Sequence, residues 1–216
     1  MDILTKIPPV TPFIEVKLEK EIVDYLWTII NNSKTENINH KHYLAGNISK
    51  SFLLKDIDNF FFKSVCVPLI KNFRQNNLGI DPNSINLTYK NDLQIVFKLT
   101  SLWVNYQYKT EFNPYHDHGG VYSFAIWLKI PYDSKKQQKL SIFDDIEDKN
   151  KKAGDFEFEY HDSLGSIRNI SYKLSKSYEG TMLFFPAKLR HCVYPFYDTD
   201  EPRISIAGNL NYFLVD

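Results

Sequence analysis

Residues 103–120 read WVNYQYKTEFNPYHDHGG. An aromatic, strand-like segment here runs into two histidines, His116 and His118, set two residues apart. In an extended chain, residues i and i+2 point to the same side, so one short strand can offer both imidazoles to one ion. A third histidine, His191, closes a second strand-like run, GTMLFFPAKLRH. Twelve residues beyond it comes RIS, with Arg203 and Ser205 again on one strand face. Histidine is the commonest protein ligand for transition metals. An arginine projecting into a barrel is costly unless it meets an anion, and its planar fork matches a carboxylate. The pattern implies a metal held by histidines from two strands, with a carboxylate ligand beyond it.

Working outward, short strand-like runs fill the C-terminal part of the chain. They fall at LQIVFKL, SLWVNYQY, around PYHDH, YSFAIWLKIP, KLSIF, FEFEY, IRNISYKL, GTMLFFP, HCVYPF and RISIAGNLNYF. Many short strands punctuated by Gly, Pro and Asp predict a mainly β sandwich or barrel, not a parallel α/β fold. The charged interval from Asp133 to Asp155, broken only by KLSIF, reads as a solvated hairpin extension. LGIDPNSINLTYKND reads as a loop.

Upstream the period changes. Leu18, Ile22, Leu26, Ile29 and Ile30 recur at helical spacing, predicting an amphipathic helix from Lys17 to about Ser33. A second helix starts near Asp56 or Asp58, either of which can cap it. It carries Phe60, Phe61, Val65, Leu69 and Phe73, and Pro68 predicts a kink or break within it. Residues 1–15, with three prolines, read as an extended lead-in, and KTENINHKHYLAGNIS as polar and irregular. His40 and His42 form a second H-x-H pair there. With no strand periodicity and no third ligand in register, it reads as structural.

The 216 residues suffice for one large domain that folds unaided. Lys+Arg and Asp+Glu are equal at 26 each, so no global charge draws the chain to nucleic acid or to an anionic membrane. No apolar run is long enough to span a bilayer, and MDILTKIPPV lacks a signal peptide's charged start and apolar core. Two cysteines, Cys66 and Cys192, fit a reducing cytosol better than a disulfide framework.

As a set, these residues resemble the Fe(II)- and 2-oxoglutarate-dependent dioxygenases, and within them a branch of oxygenases of marine bacteria and their phages. The likeness spans about residues 90–212. It rests on Trp103 and Asn105; on Phe112, Asn113, Pro114, His116 and His118; on Gly180, Leu183, Phe185 and Pro186; and on His191, Arg203 and Ser205. LAGNIS at 44–49 looks like a further shared segment. The resemblance implies a double-stranded β-helix, or jelly roll, with N-terminal helices packed on the major sheet. Residues 1–216 would then form a single domain, with a helical lead-in over about 1–80 and a core over about 90–212. It implies Fe(II) and 2-oxoglutarate as cofactors, and release of succinate and CO2 as a C–H bond is hydroxylated. The substrate would be a prolyl-type peptidyl group or a small molecule, and the place of action the cytoplasm of a bacterial cell or phage host. His116 and His191 would be iron ligands. Arg203 with Ser205 would hold the distal carboxylate of 2-oxoglutarate, faced by Asn105 and Gln107.

This chain departs from the superfamily's H-x-D/E…H motif, because His118 stands in the acid's place. Two readings stay open. Either His118 ligates, giving three neutral imidazoles and a site one charge unit more positive, or a bulge turns Asp117 inward. Strand alternation favours His118. Tyr106, Tyr108, Tyr115 and Tyr122 either line a cleft or pack as ordinary strand residues. The competing functional classes are a jelly-roll protein that binds metal or a carboxylate without turnover, and a cupin-like protein. The latter expects a glutamate shortly after the H-x-H pair, and none follows before Glu147.

Overall fold

A computed structural model describes residues 11–36, 38–75 and 94–215. In chain order its strands are β1 (Ile14–Lys17), β2 (Lys50–Leu53), β3 (Gln94–Gln107), β4 (Asn113–His116), β5 (Tyr122–Lys129), β6 (Phe156–His161), β7 (Ile167–Tyr172), β8 (Thr181–Pro186), β9 (Arg190–Val193) and β10 (Arg203–Val215). A six-stranded sheet runs β1-β8-β5-β10-β3-β2, and a four-stranded sheet runs β4-β9-β6-β7. Every pairing is antiparallel. This is the expected mainly β jelly roll.

Alternation assigns the two faces of the larger sheet. Val104, Phe124, Ile126, Met182, Phe184, Ile204 and Ile206 all point outward into one buried cluster. There they meet Leu26 and Ile29 of α1 (Lys20–Glu36) and Ile70 and Phe73 of α2 (Val67–Gln75). Phe61 against Phe124, and Phe73 against Phe184, put ring centroids 5.4 and 5.5 Å apart. The intervening residues point inward. Trp127, Leu183 and Phe185 join Phe156 and Phe158 of β6 in a second cluster between the sheets. Such close-packed strands leave little room for added atoms. A Cβ at Gly208 of β10 would lie 2.5 Å from the Phe124 ring and 2.8 Å from the Ser101 carbonyl oxygen. Gly208→Ala is therefore expected to destabilise by about 1–3 kcal/mol as an overpacked site. A thermal melt should show a fall of roughly 2–4 °C per kcal/mol at this size, and an unchanged melt would contradict the packing described.

Several expectations need correction. The second helix begins where Asp56 accepts hydrogen bonds from the Phe61 and Phe62 amides, both at 2.9 Å, so Asp56 and not Asp58 is the cap. The discontinuity at Pro68 takes the form of a π-turn over Phe62–Cys66, which feeds α2 without a break. Proline supplies no N–H to the helical ladder, and a wider turn just before it absorbs the mismatch. KLSIF is not a strand. The interval after Asp133 forms a short helix, α3 (Ser134–Gln137), and single 3-10 turns. It folds back on the core, burying Ser134, Gln137, Gln138 and Asp155, so it is not a solvated hairpin. From Gln94 on, LQIVFKL and SLWVNYQY fuse into β3; β1 begins within the lead-in at Ile14, and the irregular segment, with a 3-10 turn at Lys41–Tyr43, leads into β2 at Lys50. The first ten residues and the loop expected at 78–92 lie outside the described residues.

Candidate metal and cosubstrate site

The short strand β4 brings the first imidazole into place. It pairs with β9 so that His116 lies directly across from His191. Their ring centroids are 4.3 Å apart. His118 lies two residues beyond the end of β4, so the two histidines do not share a strand as the alternation rule suggested. Backbone contacts do the work instead. The His118 amide donates to the Ala187 carbonyl at 2.8 Å, and the Val121 amide to Leu210 at 2.8 Å. Gly120 makes the turn at φ +86°, and a Cβ there would meet the Leu210 carbonyl oxygen at 2.5 Å. His118 and His191 end with near-parallel rings and Nε2 atoms 3.2 Å apart. One ligand nitrogen from each of the three histidines lies within 4.8 Å of the others.

The hydrogen bonds set the protons. His116 Nδ1 lies 2.7 Å from the Pro114 carbonyl and His191 Nδ1 lies 3.2 Å from that of Leu189. A ring nitrogen beside a carbonyl carries the proton, which leaves the Nε2 lone pairs for a cation. Bonds of about 2.1 Å from two imidazoles to one cation put their nitrogens roughly 3 Å apart, matching the His118–His191 pair. Burial, then the neighbouring imidazoles, holds His118 down at about 4 and His191 well below the usual histidine range. Burial also lowers His116. All three are neutral near pH 7, as metal ligation requires.

That neutrality predicts acid lability of the metal-free protein. The folded-state values are depressed, so between pH 6.5 and about 4 the unfolded chain binds more protons than the native one. Stability is therefore present above pH 6.5 and falls as pH drops through that window. Melts from pH 7.5 to 4.5 should show a declining Tm, and a flat profile would contradict the neutral cluster.

Asp117, the alternative ligand, borders the cavity but stands outside the cluster of three ligand nitrogens. It is exposed and pairs with Lys188 at 3.1 Å. Cys192, next to His191 in sequence, lies on the outer face of the small sheet opposite Glu157, as a packing residue should. Of the four tyrosines considered for a cleft, none lines the cavity. Tyr106 and Tyr122 pack against the helical core, and Tyr115 donates to Glu157 at 2.5 Å.

The three imidazoles open on a cavity of about 310 Å3 between the sheets. Arg203 and Ser205 line it from β10, opposite Gln107 and Asn105 of β3 in register. Arg203 is 2 % exposed. Its Nη1 donates to Tyr132 Oη at 2.8 Å and its Nη2 to Gln107 Oε1, while its Nε has no partner among the described residues. Among the described residues no carboxylate pairs with it. A buried guanidinium without an anion is costly and expects one from outside. Asn105 Oδ1 is likewise buried and unpartnered. Tyr132 was not foreseen, since its contact with Arg203 spans 71 residues and no local pattern marks it.

The family described as "Putative 2OG-Fe(II) oxygenase" matches residues 101–209, just over half of the chain. The chain belongs to the 2OG-Fe(II) oxygenase family. The matched span runs from the start of the aromatic strand through His116, His118, His191, Arg203 and Ser205. The oxygenase therefore uses Fe(II) and 2-oxoglutarate as its cofactors. Its fold is similar to that of a viral collagen prolyl hydroxylase from Paramecium Bursaria Chlorella virus-1, solved as a 2OG complex. The TM-score is 0.51 at 13% identity, over 92% of this chain and 94% of that one. It is also similar to a 2OG-Fe(II) oxygenase family oxidoreductase from Burkholderia pseudomallei, with a TM-score of 0.50 at 9% identity over 92% and 84% of the chains. No curated protein matches the chain in sequence. Among the described residues no helix is long and apolar enough to cross a membrane.

Proposed function

We propose that His116, His118 and His191 hold Fe(II), and that Arg203 with Ser205 holds the distal carboxylate of 2-oxoglutarate, faced by Asn105 and Gln107. The observation that carries this reading is the buried, anion-less Arg203 in the same cavity as three neutral imidazoles. The substrate is a C–H bond of a prolyl-type peptidyl group or of a small molecule. The fold shared with a viral collagen prolyl hydroxylase supports the peptidyl choice. Residues 1–216 act as one catalytic unit.

Bound there, Fe(II) and 2-oxoglutarate would, with dioxygen as the oxidant, supply oxidative decarboxylation of the cosubstrate to succinate and CO2, one oxygen atom entering succinate and the other the hydroxylated C–H bond of the substrate. The chain's own residues prepare the setting. Pro114 and Leu189 carbonyls hold the His116 and His191 rings in the ligating tautomer. Phe156 and Phe185, with centroids 5.4 and 5.0 Å from His191, keep water off that side. Tyr132 and Gln107 fix the guanidinium plane, so the cosubstrate meets a fork already oriented.

Incubation with ferrous iron, 2-oxoglutarate and oxygen is expected to release succinate, and no release above a His191→Ala control would reject turnover. The third ligand has its own test. His118→Ala should weaken Fe(II) binding by roughly 100-fold or more, beyond the 10–100-fold typical of losing an outer hydrogen-bond partner. Asp117→Asn should change it by less than about threefold, since only an exposed ion pair is lost. The reverse order in a metal titration would restore the acid as ligand.

A further inference from the structure

Residues 39–47 run between the two sheets beside the cavity. One end is pinned by a β-bridge from Asn39 to Phe52 of β2, the other by a bridge from Asn47 to Phe112, just before β4. Gly46 fits against β4 so closely that a Cβ would meet Asn113 Oδ1 at 2.0 Å. The strap places His40 over Trp103, with centroids 4.9 Å apart, and Tyr43 over His40 at 5.2 Å. Trp103 in turn lies 5.8 Å from the His118 ring. A stack of rings thus leads from the imidazole cluster to Tyr43, which is 80% exposed.

Among the described residues, polar atoms along this stack lack partners. Trp103 is 4 % exposed, yet its Nε1 has no acceptor. His40 Nδ1 and Asn113 Oδ1 are also buried and unpaired, and all three residues line the cavity. Buried polar groups are ordinarily satisfied, so the Trp103 and His40 orphans, on residues that line one cavity, mark a missing ligand. That ligand is not the cosubstrate. Gln107, opposite Arg203, and Trp103, opposite Ala207, are four residues apart on β3, or roughly 13 Å. Among the described residues, the one carboxylate that borders this half, Asp117, is paired with Lys188, and burial lowers the pKa of His40. Its remaining wall is apolar at Leu44, Ala45 and Ile48 and polar at Asn209.

We propose that Trp103, His40 and Asn113 form the primary-substrate subsite, and that they select an uncharged, amide-bearing segment of a polypeptide over a free amino acid or a nucleotide. The Trp103 N–H donates to an amide carbonyl, His40 Nδ1 pairs with a neighbouring amide, and Asn113 borders the site with its Oδ1 packed on Gly46. A row of contacts that reaches from the buried tryptophan to an exposed tyrosine suits a residue carried on a chain. The assignment rests on the proposed oxygenase reading of the same cavity.

The test uses holoenzyme with Fe(II) and 2-oxoglutarate under nitrogen. Its probes are N-acetylated, C-amidated proline-containing tetrapeptides, free proline and a nucleoside monophosphate, followed by calorimetry. Blocked peptides should bind, with free proline and the nucleotide at least tenfold weaker. Trp103→Phe and His40→Phe keep the stacked rings but remove the polar atoms, and each should weaken peptide binding about tenfold. A visible iron–cosubstrate charge-transfer band in every variant shows that metal and cosubstrate are in place, so its absence in the wild type rejects the oxygenase site and not the subsite alone. With the band present, peptide affinities within twofold of wild type in both variants, or preference for a charged small molecule, would overturn the subsite.

Discussion

Arg203→Met is expected to abolish tight 2-oxoglutarate binding while leaving the metal-free fold as stable as wild type, or more so. The guanidinium is buried, lacks a carboxylate, and leaves Nε unpaired. Its hydrogen bonds to Tyr132 and Gln107 offset only part of the desolvation it suffers. An apolar side chain of similar length removes that penalty, and such replacements are often neutral or stabilising. Binding moves the other way. Two charge-assisted hydrogen bonds to a carboxylate, each about 1.5–3 kcal/mol, correspond to roughly a 10²–10⁴-fold loss of cosubstrate affinity. Melts of the apo protein and a cosubstrate titration read the two quantities separately. A large drop in Tm, or retained affinity, would show that the arginine serves the fold.

His191→Ala should remove metal binding altogether in the micromolar range and with it all succinate formation. His191 is the most enclosed of the three imidazoles at 4 % exposure, and the other two are arranged around it. His116 faces it across the β4–β9 ladder, and His118 reaches it at 3.2 Å. Without it, two partly exposed rings remain on a loop and an edge strand, too few to hold Fe(II) against water. Equilibrium dialysis with Fe(II) under nitrogen checks this, and near-native occupancy in the variant would remove His191 from the site.

The β part of the fold was readable because period-two alternation survives along β3, β5, β8 and β10, and because β10 sets inward Arg203 and Ser205 against outward Ile204 and Ile206. What failed, failed for stated reasons. KLSIF has a strand's composition, but Asp133 caps a helical turn just before it, its side chain accepting from the Lys135 amide at 2.8 Å. The H-x-H pair was legible as a unit, though the strand ends at His116 and the turn at Gly120, not alternation, brings His118 inward. The structural reading of the His40–His42 pair could not place His40 beside the cavity, because its partner, Trp103, lies far along the chain and no local pattern records that stacking. Tyr132 was invisible for the same reason. The residues that local sequence could not place are those whose orientation depends on a contact between distant segments.

The most direct measurement is an anaerobic titration of the metal-free protein with ferrous iron and then 2-oxoglutarate, followed in the visible region. The account predicts a charge-transfer band that saturates at one equivalent of each, persists in Asp117→Asn and is lost in both His191→Ala and Arg203→Met. No band in the wild-type protein, or a band unaltered by either of the last two substitutions, would contradict it.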